Sequence, residues 1–259
     1  MFGLWTDSRR ISRTQLMEIE LKTEYSTANP DDVAIMAARG DYMSESLVGK
    51  SVSDALQGAA EPKMKVWNEE DQKRDFINKL LRRGHFGPFE HVTAYFAVEG
   101  ISRVLLAQAT RHRVGISFDV QSMRYVEFDD ASVVVPEAVR LIGLEHVIED
   151  HMIDSLDRYD YLYDELKAHY LSEGFKESMA GKKAQQDARY VLPLGTKVNM
   201  TFSANARTLM HFFDLRNNTK AQPETQEFAE QVLDLCHEWS PLTFEGYEAH
   251  LNNNSLRAP

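Results

Sequence analysis

Arg111, His112 and Arg113 stand together, eight residues separate them from Ser122, and Arg124-Tyr125 follow at once. Three guanidinium groups, an imidazole and a hydroxyl within one short stretch can do one kind of chemistry well, which is to hold bound anions. Arg presents a planar fork that meets phosphate or carboxylate bidentately, and a hydroxyl adds a further donor. Between them Ser117, Asp119 and Gln121 supply donors and acceptors suited to the polar edge of a heterocycle. The segment therefore reads as a ligand-binding loop. Upstream, Gln108, Arg111 and His112 are spaced i, i+3 and i+4, so on a helix they share one face near its C-terminal end. Basic side chains at a helix C-terminus also complement the helix dipole, which is the plainer account of the triplet by itself.

The elements that position these residues follow from pattern. Ser102 can cap a helix through ISRVLLAQATRHR, whose last turn carries the triplet. Before it, residues 91–100 alternate and end in Gly, which suits a strand; residues 17–25 alternate likewise. Asp31-Asp32 after Pro30 open a short helix to Ala38. Asn68, the acids at 69–71, Arg82-Arg83 and Gly84 are the start and stop signals of a helix over 68–83. The stretch 40–66 has no clean period. Residues 136–173 place Ile148, Met152, Leu156, Tyr159, Leu162, Leu166 and Tyr170 at helical spacing, with a break expected at Gly143. A helix at 176–188, a strand at 197–203, and helices at 205–215, 222–238 and 242–250 complete an α+β fold. Without repeats or linkers, residues 1–259 read as a single domain.

Composition narrows the function. The 29 Lys and Arg against 40 Asp and Glu give a formal charge of −11, which disfavours nucleic acid as a partner while permitting a local basic pocket. Cys236 is the one cysteine, so an intrachain disulfide and a multi-cysteine metal site are both excluded, and it reads as a buried apolar thiol. The N-terminal MFGLWTDSRRISR lacks a signal-peptide core and no run reaches membrane-spanning length, so the expectation is an intracellular, cytoplasmic protein with no membrane partner. Gly49-Lys50-Ser51 resembles the end of a phosphate-binding loop, but Ser44 stands where that motif needs Gly. No G-x-G-x-x-G follows a strand, so no Rossmann unit is expected. His146 and His151 point about 140° apart on a helix, which defeats a metal pair.

The stretch RHRVGISFDVQSMRY resembles the signature of the flavin-dependent thymidylate synthases. HFGPFEH (85–91), ARYVLPL (188–194), NARTLMHFFDLR (205–216), AQPETQ (221–226) and SPLTFEGY (240–247) resemble further blocks of that family in the same order. The resemblance implies a homotetramer with active sites shared between subunits. It implies conversion of dUMP to dTMP with methylenetetrahydrofolate as carbon donor and FAD, reduced by NADPH, as hydride source. Arg111, His112 and Arg113 would then be flavin ligands, with Arg111 also near the nucleotide. Asn205, Arg207 and His211 would touch the flavin, and Arg207 and His211 share a helix face at i, i+4. Gln108, Ser122, Met123 and Arg124 would hold dUMP, the last three around its phosphate, and Arg189 would reach the same phosphate from a neighbouring subunit. Arg216 would face the uracil ring and favour ionisation of N3, while His85, with a catalytic role, and Glu90 would stand near the flavin and the folate side. One of Asp119, Val120 and Gln121 occupies the position of the family's carboxylate or amide; Asp119 is the candidate toward the cofactor and Gln121 toward the substrate. The chain departs from the family pattern at Gly87, at His211, where Asn also occurs, and in AARGDYMSES (37–46). Hydride transfer from reduced flavin needs no enzyme thiol, which fits a lone Cys236 outside every block.

Overall fold

In a computed structural model the described residues are 17–57, 68–124 and 132–252. Tyr125, the N-terminal stretch and part of the 40–66 segment lie outside them. Four strands, β1 (Glu18–Leu21), β2 (Thr93–Ser102), β3 (Ile116–Val120) and β4 (Lys197–Asn205), form one sheet in the order β1-β2-β4-β3. The register is antiparallel. Gln121 N–H donates to Asn199 O at one end of the β3–β4 ladder, and Asn205 N–H donates to Gly115 O at the other, both at 2.9 Å. Among the described residues ten α-helices accompany the sheet: α1 (Pro30–Tyr42), α2 (Val52–Gln57), α3 (Glu69–Arg83), α4 (Arg103–Ala109), α5 (Glu137–Leu141), α6 (Glu145–Ser172), α7 (Glu177–Ala188), α8 (Ala206–Arg216), α9 (Pro223–Trp239) and α10 (Pro241–Asn252).

The chain forms two compact units, and it passes from one to the other within β1, β2, β3 and β4 and after Ala109. The first holds Val98–Ala109 and Asp119–Met200. Its core joins Val133, Val135, Met152 and Leu156, with Val139, Ile148 and Leu192 against them. The expected long helix is broken where Gly143 takes a left-handed φ of 71°, giving α5 and α6. Tyr170 on α6 donates to Asp187 on α7 at 2.6 Å.

The second unit holds Ile19–Ala97, Thr110–Phe118 and Thr201–Pro259. Alternation along β2 and β4 sends Phe96 and Phe202 into one core, where their rings stack at 4.6 Å. Phe228 of α9 packs on both Phe202 and Phe212 at 5.8 Å. The start signals of α3 act as expected. Asn68 Oδ1 accepts from Asp71 N–H at 2.8 Å, and Gly84 ends the helix with φ 69°. Asp31, in the first turn of α1, also caps α10: its carboxylate accepts from the N–H groups of Leu242 and Thr243 and from the hydroxyls of Ser240 and Thr243. β1 ends at Leu21, short of the expected 17–25, because Thr23–Tyr25 close a 3-10 turn; α1 in turn continues past Ala38 to Tyr42.

Two expectations need correction. The helix expected to run through the triplet stops at Ala109, so Gln108, Arg111 and His112 do not share a helix face. The reason lies beyond the triplet. Residues 116–120 of the stretch read as a loop are strand β3, with Ile116, Phe118 and Val120 half-buried and Ser117 and Asp119 exposed. To enter that ladder the chain must leave the helix and turn through Gly115.

Candidate active site

In the second unit a cavity of about 870 Å³ is lined by Glu90, the loop Arg111 to Gly115, and Asn205, Arg207, Thr208, His211, Leu215 and Arg216. That volume suits a bound small molecule or cofactor. Helix α8 supplies one wall through its period. Ala206, Leu209, Met210, Phe212 and Phe213 are buried, and the opposite stripe, Arg207, His211 and Leu215 at intervals of four, faces the cavity.

The start of α8 is stapled to the triplet loop. Asn205 Oδ1 caps the helix by accepting from Thr208 N–H at 2.9 Å. Thr208 Oγ1 donates to Val114 O at 2.8 Å, while Asn205 N–H donates to Gly115 O. Gly115 has φ 69°, and a methyl group there would sit 2.2 Å from Thr208 Oγ1 and 2.5 Å from Asn205 Nδ2. Only glycine satisfies both the backbone angle and the space. On its other side Ala206 N–H donates to Val92 O at 2.8 Å, just after the 3-10 turn Gly87–His91 that carries Glu90.

Four guanidinium groups, Arg111, Arg113, Arg207 and Arg216, line this space against the single carboxylate of Glu90. Arg207 Nη1 meets Glu90 Oε1 at 2.5 Å. Both side chains are about half exposed, so the pair contributes about 0–1 kcal/mol and chiefly sets the Arg207 geometry. His112 is half-buried, edge-on to Phe212 at 4.9 Å and beside His211 at 6.1 Å. Burial first, then the charge of Arg216, then His211 and Arg111, lower its pKa to about 4. Arg216 Nε–H donates to His112 Nε2 at 3.2 Å. A basic, partly apolar cavity inside a chain of charge −11 is suited to a polyanionic ligand with an aromatic body.

Seven of the residues expected at the flavin, Glu90, Arg111, His112, Arg113, Asn205, Arg207 and His211, come together here, with Arg216 beside them. His85 does not line the cavity. It sits 3.4 Å from the Asp41 carboxylate with its ring across Tyr42. Gln108, Asp119, Gln121, Ser122, Met123, Arg124 and Arg189 belong to the first unit. There Gln108 is half-buried near the end of α4, Asp119 is exposed on β3, and Gln121 extends the β3–β4 ladder. Ser122 Oγ accepts from Arg124 N–H at 3.3 Å, which folds the chain over a buried Met123 and leaves Arg124 exposed. Arg189 begins the 3-10 turn after α7. Burial, and then Arg189, lower the pKa of Arg103, whose buried Nε has no hydrogen-bond partner among the described residues. Gly115 and Thr208 were not anticipated, although Gly after the triplet and Thr three residues after Asn205 were readable as turn and cap signals.

The family model described as thymidylate synthase complementing protein matches residues 23–242. The chain belongs to this family. It is similar to the flavin-dependent thymidylate synthase of Haloarcula marismortui, 39% identical over 92% of this chain and 99% of that one. Its similarity to the one from Halobacterium salinarum is 36% over 90% of this chain and 96% of that one. It also resembles the crystal structure of a UMP/dUMP methylase, PolB, from Streptomyces cacaoi bound with 5-Br dUMP. The TM-score is 0.59 and the identity 26%, over 90% of this chain and 95% of that one. The α+β architecture and antiparallel sheet agree with this flavin-dependent thymidylate synthase kinship. The matched span is continuous through both compact units. Among the described residues no group of three or more His, Cys, Asp and Glu is placed to hold a metal, and no helix is long and apolar enough to cross a membrane.

Proposed function

We propose that the protein methylates dUMP to dTMP as a single-domain flavin-dependent thymidylate synthase. Methylenetetrahydrofolate serves as carbon donor and NADPH as reductant, in a cytoplasmic homotetramer whose subunits share active sites. The observation that carries the reading is the cavity in which the triplet Arg111-His112-Arg113 and the α8 residues Arg207, His211 and Arg216 converge. Its residues fit FAD. The guanidinium groups match a pyrophosphate, the imidazoles and Leu215 offer flat or apolar surface to a ring system, and the Gly115 turn lets backbone approach closely. When bound, the flavin supplies hydride-transfer chemistry.

The chain's own residues bind, orient and polarise. Arg111, Arg113 and Arg207 neutralise bound phosphate. Asn205 Oδ1 is already engaged as a helix cap, so its Nδ2 is the atom directed to a ligand. Ser122, Met123 and Arg124, with Arg189 of a neighbouring subunit, hold the dUMP phosphate, and Gln108 and Gln121 serve the nucleoside. Asp119 is assigned to the cofactor side. Arg216 places a fixed cation beside uracil N3, which stabilises the deprotonated ring and makes C5 a better nucleophile. His85 and Glu90 are assigned to the flavin and folate side. Cys236 is fully buried and its thiol pKa is pushed up by that burial, which supports a reaction without an enzyme thiolate.

Chromatography of products formed by purified protein with FAD, NADPH and methylenetetrahydrofolate, supplied with dUMP or UMP, tests the reading. A methylated product from dUMP that needs both the folate and the reductant supports it. Tight dUMP binding by a yellow protein without product would replace it with a non-catalytic nucleotide-binding role.

A further inference from the structure

We propose that His112 acts as the positioning residue of Arg216, a neutral hydrogen-bond acceptor that fixes the plane of the guanidinium on the cavity wall. The inference rests on the synthase reading in that Arg216 is taken to face the uracil ring. An arginine Nε always carries its hydrogen, so the 3.2 Å contact to His112 Nε2 has one possible direction. Nε2 presents its lone pair, and the ring proton sits on Nδ1.

This arrangement answers a mechanical problem. Arg216 is the last residue of α8, where the following chain no longer continues the helix, and a long side chain there would sample many rotamers. Anchoring Nε fixes the direction in which the terminal nitrogens point. His112 is itself held edge-on by Phe212, and its loop is tied to α8 through Thr208 and Val114. The charged and titratable groups around it are Arg216, His211 and Arg111, with Arg113, Arg207 and Glu90 further along the cavity. Burial, together with the four guanidinium groups among these six, keeps the imidazole neutral and so keeps it an acceptor. A protonated imidazole would have no lone pair to offer and would repel Arg216.

The test combines a double-mutant cycle with a spectroscopic readout. His112→Leu is expected to lower kcat about tenfold or more while the KM for dUMP moves less than about threefold, because a mispositioned Arg216 fails in the transition state rather than in binding. His112→Gln, whose amide oxygen can accept from Arg216, is expected to restore most of kcat. The double variant with Arg216→Ala should be no slower than Arg216→Ala alone. Losses that multiply instead would give His112 a role independent of Arg216 and overturn the proposal. Nitrogen-15 NMR of histidine-labelled protein reads the contact without turnover. The Nδ1–H tautomer of His112 should be present in the wild type and lost in Arg216→Ala, and an unchanged tautomer would refute the coupling. If wild-type protein formed no dTMP, the synthase reading would fall while the NMR arm still judged the pairing.

Discussion

His112 and Arg124 illustrate two ways in which single side chains enter the proposed chemistry. Arg124 is exposed on the turn that Ser122 folds, and its proposed contact with the dUMP phosphate would be a charge-assisted hydrogen bond. Arg124→Ala is expected to weaken dUMP binding by about 1.5–3 kcal/mol and leave flavin bound. Equal affinity of wild type and variant by calorimetry would refute that role. His112 has a pH signature of its own. Its folded pKa of about 4 lies below the ordinary 6.5, so its contribution to stability is fully present above pH 6.5 and is lost as pH falls toward 4. Over that interval the unfolded chain takes up a proton that the folded chain refuses. Replacing it by Gln should flatten the fall of urea midpoint across that interval, and a wild-type-like slope would show that His112 is not the group responsible.

At the level of elements, the most consequential joint is the staple between the triplet loop and the start of α8. Gly115→Ala forces a methyl group against Thr208 and Asn205 in a left-handed backbone, and is expected to destabilise the protein by about 1–3 kcal/mol and weaken flavin retention. A denaturant midpoint unchanged by the substitution would contradict the account of this joint. The elements were unevenly legible in the sequence. Helix α3 carried its cap, acids, bases and glycine stop, and the structure reproduces them. The β2 and β4 alternations were clear because one face is buried. Strand β3 was not recognised, although I-S-F-D-V alternates, because its polar positions read equally well as ligand contacts. The run of helix formers into Arg111 likewise gave no sign that strand pairing beyond Gly115 would end α4 at Ala109. The triplet and the α8 stripe lie far apart in sequence, so spacing alone could not show that they share one cavity; the resemblance supplied that grouping, and their convergence is a matter of tertiary pairing.

On the scale of the whole molecule, an acidic chain carries a concentrated basic cavity, and its thiol is sealed in a helix core. Cys236→Ala should leave kcat within about threefold of wild type while lowering stability modestly through the lost sulfur contacts. A loss of turnover beyond about a hundredfold in folded protein would return the thiol to the mechanism. The central claim, that this chain activates the uracil C5 position with folate and reduced flavin, is tested most directly by release of tritium from dUMP labelled at C5. Purified protein with FAD, NADPH and methylenetetrahydrofolate is predicted to release it, and omission of the folate or the reductant should stop it. A folded, flavin-loaded protein that binds dUMP and releases no tritium under the complete conditions would contradict the account.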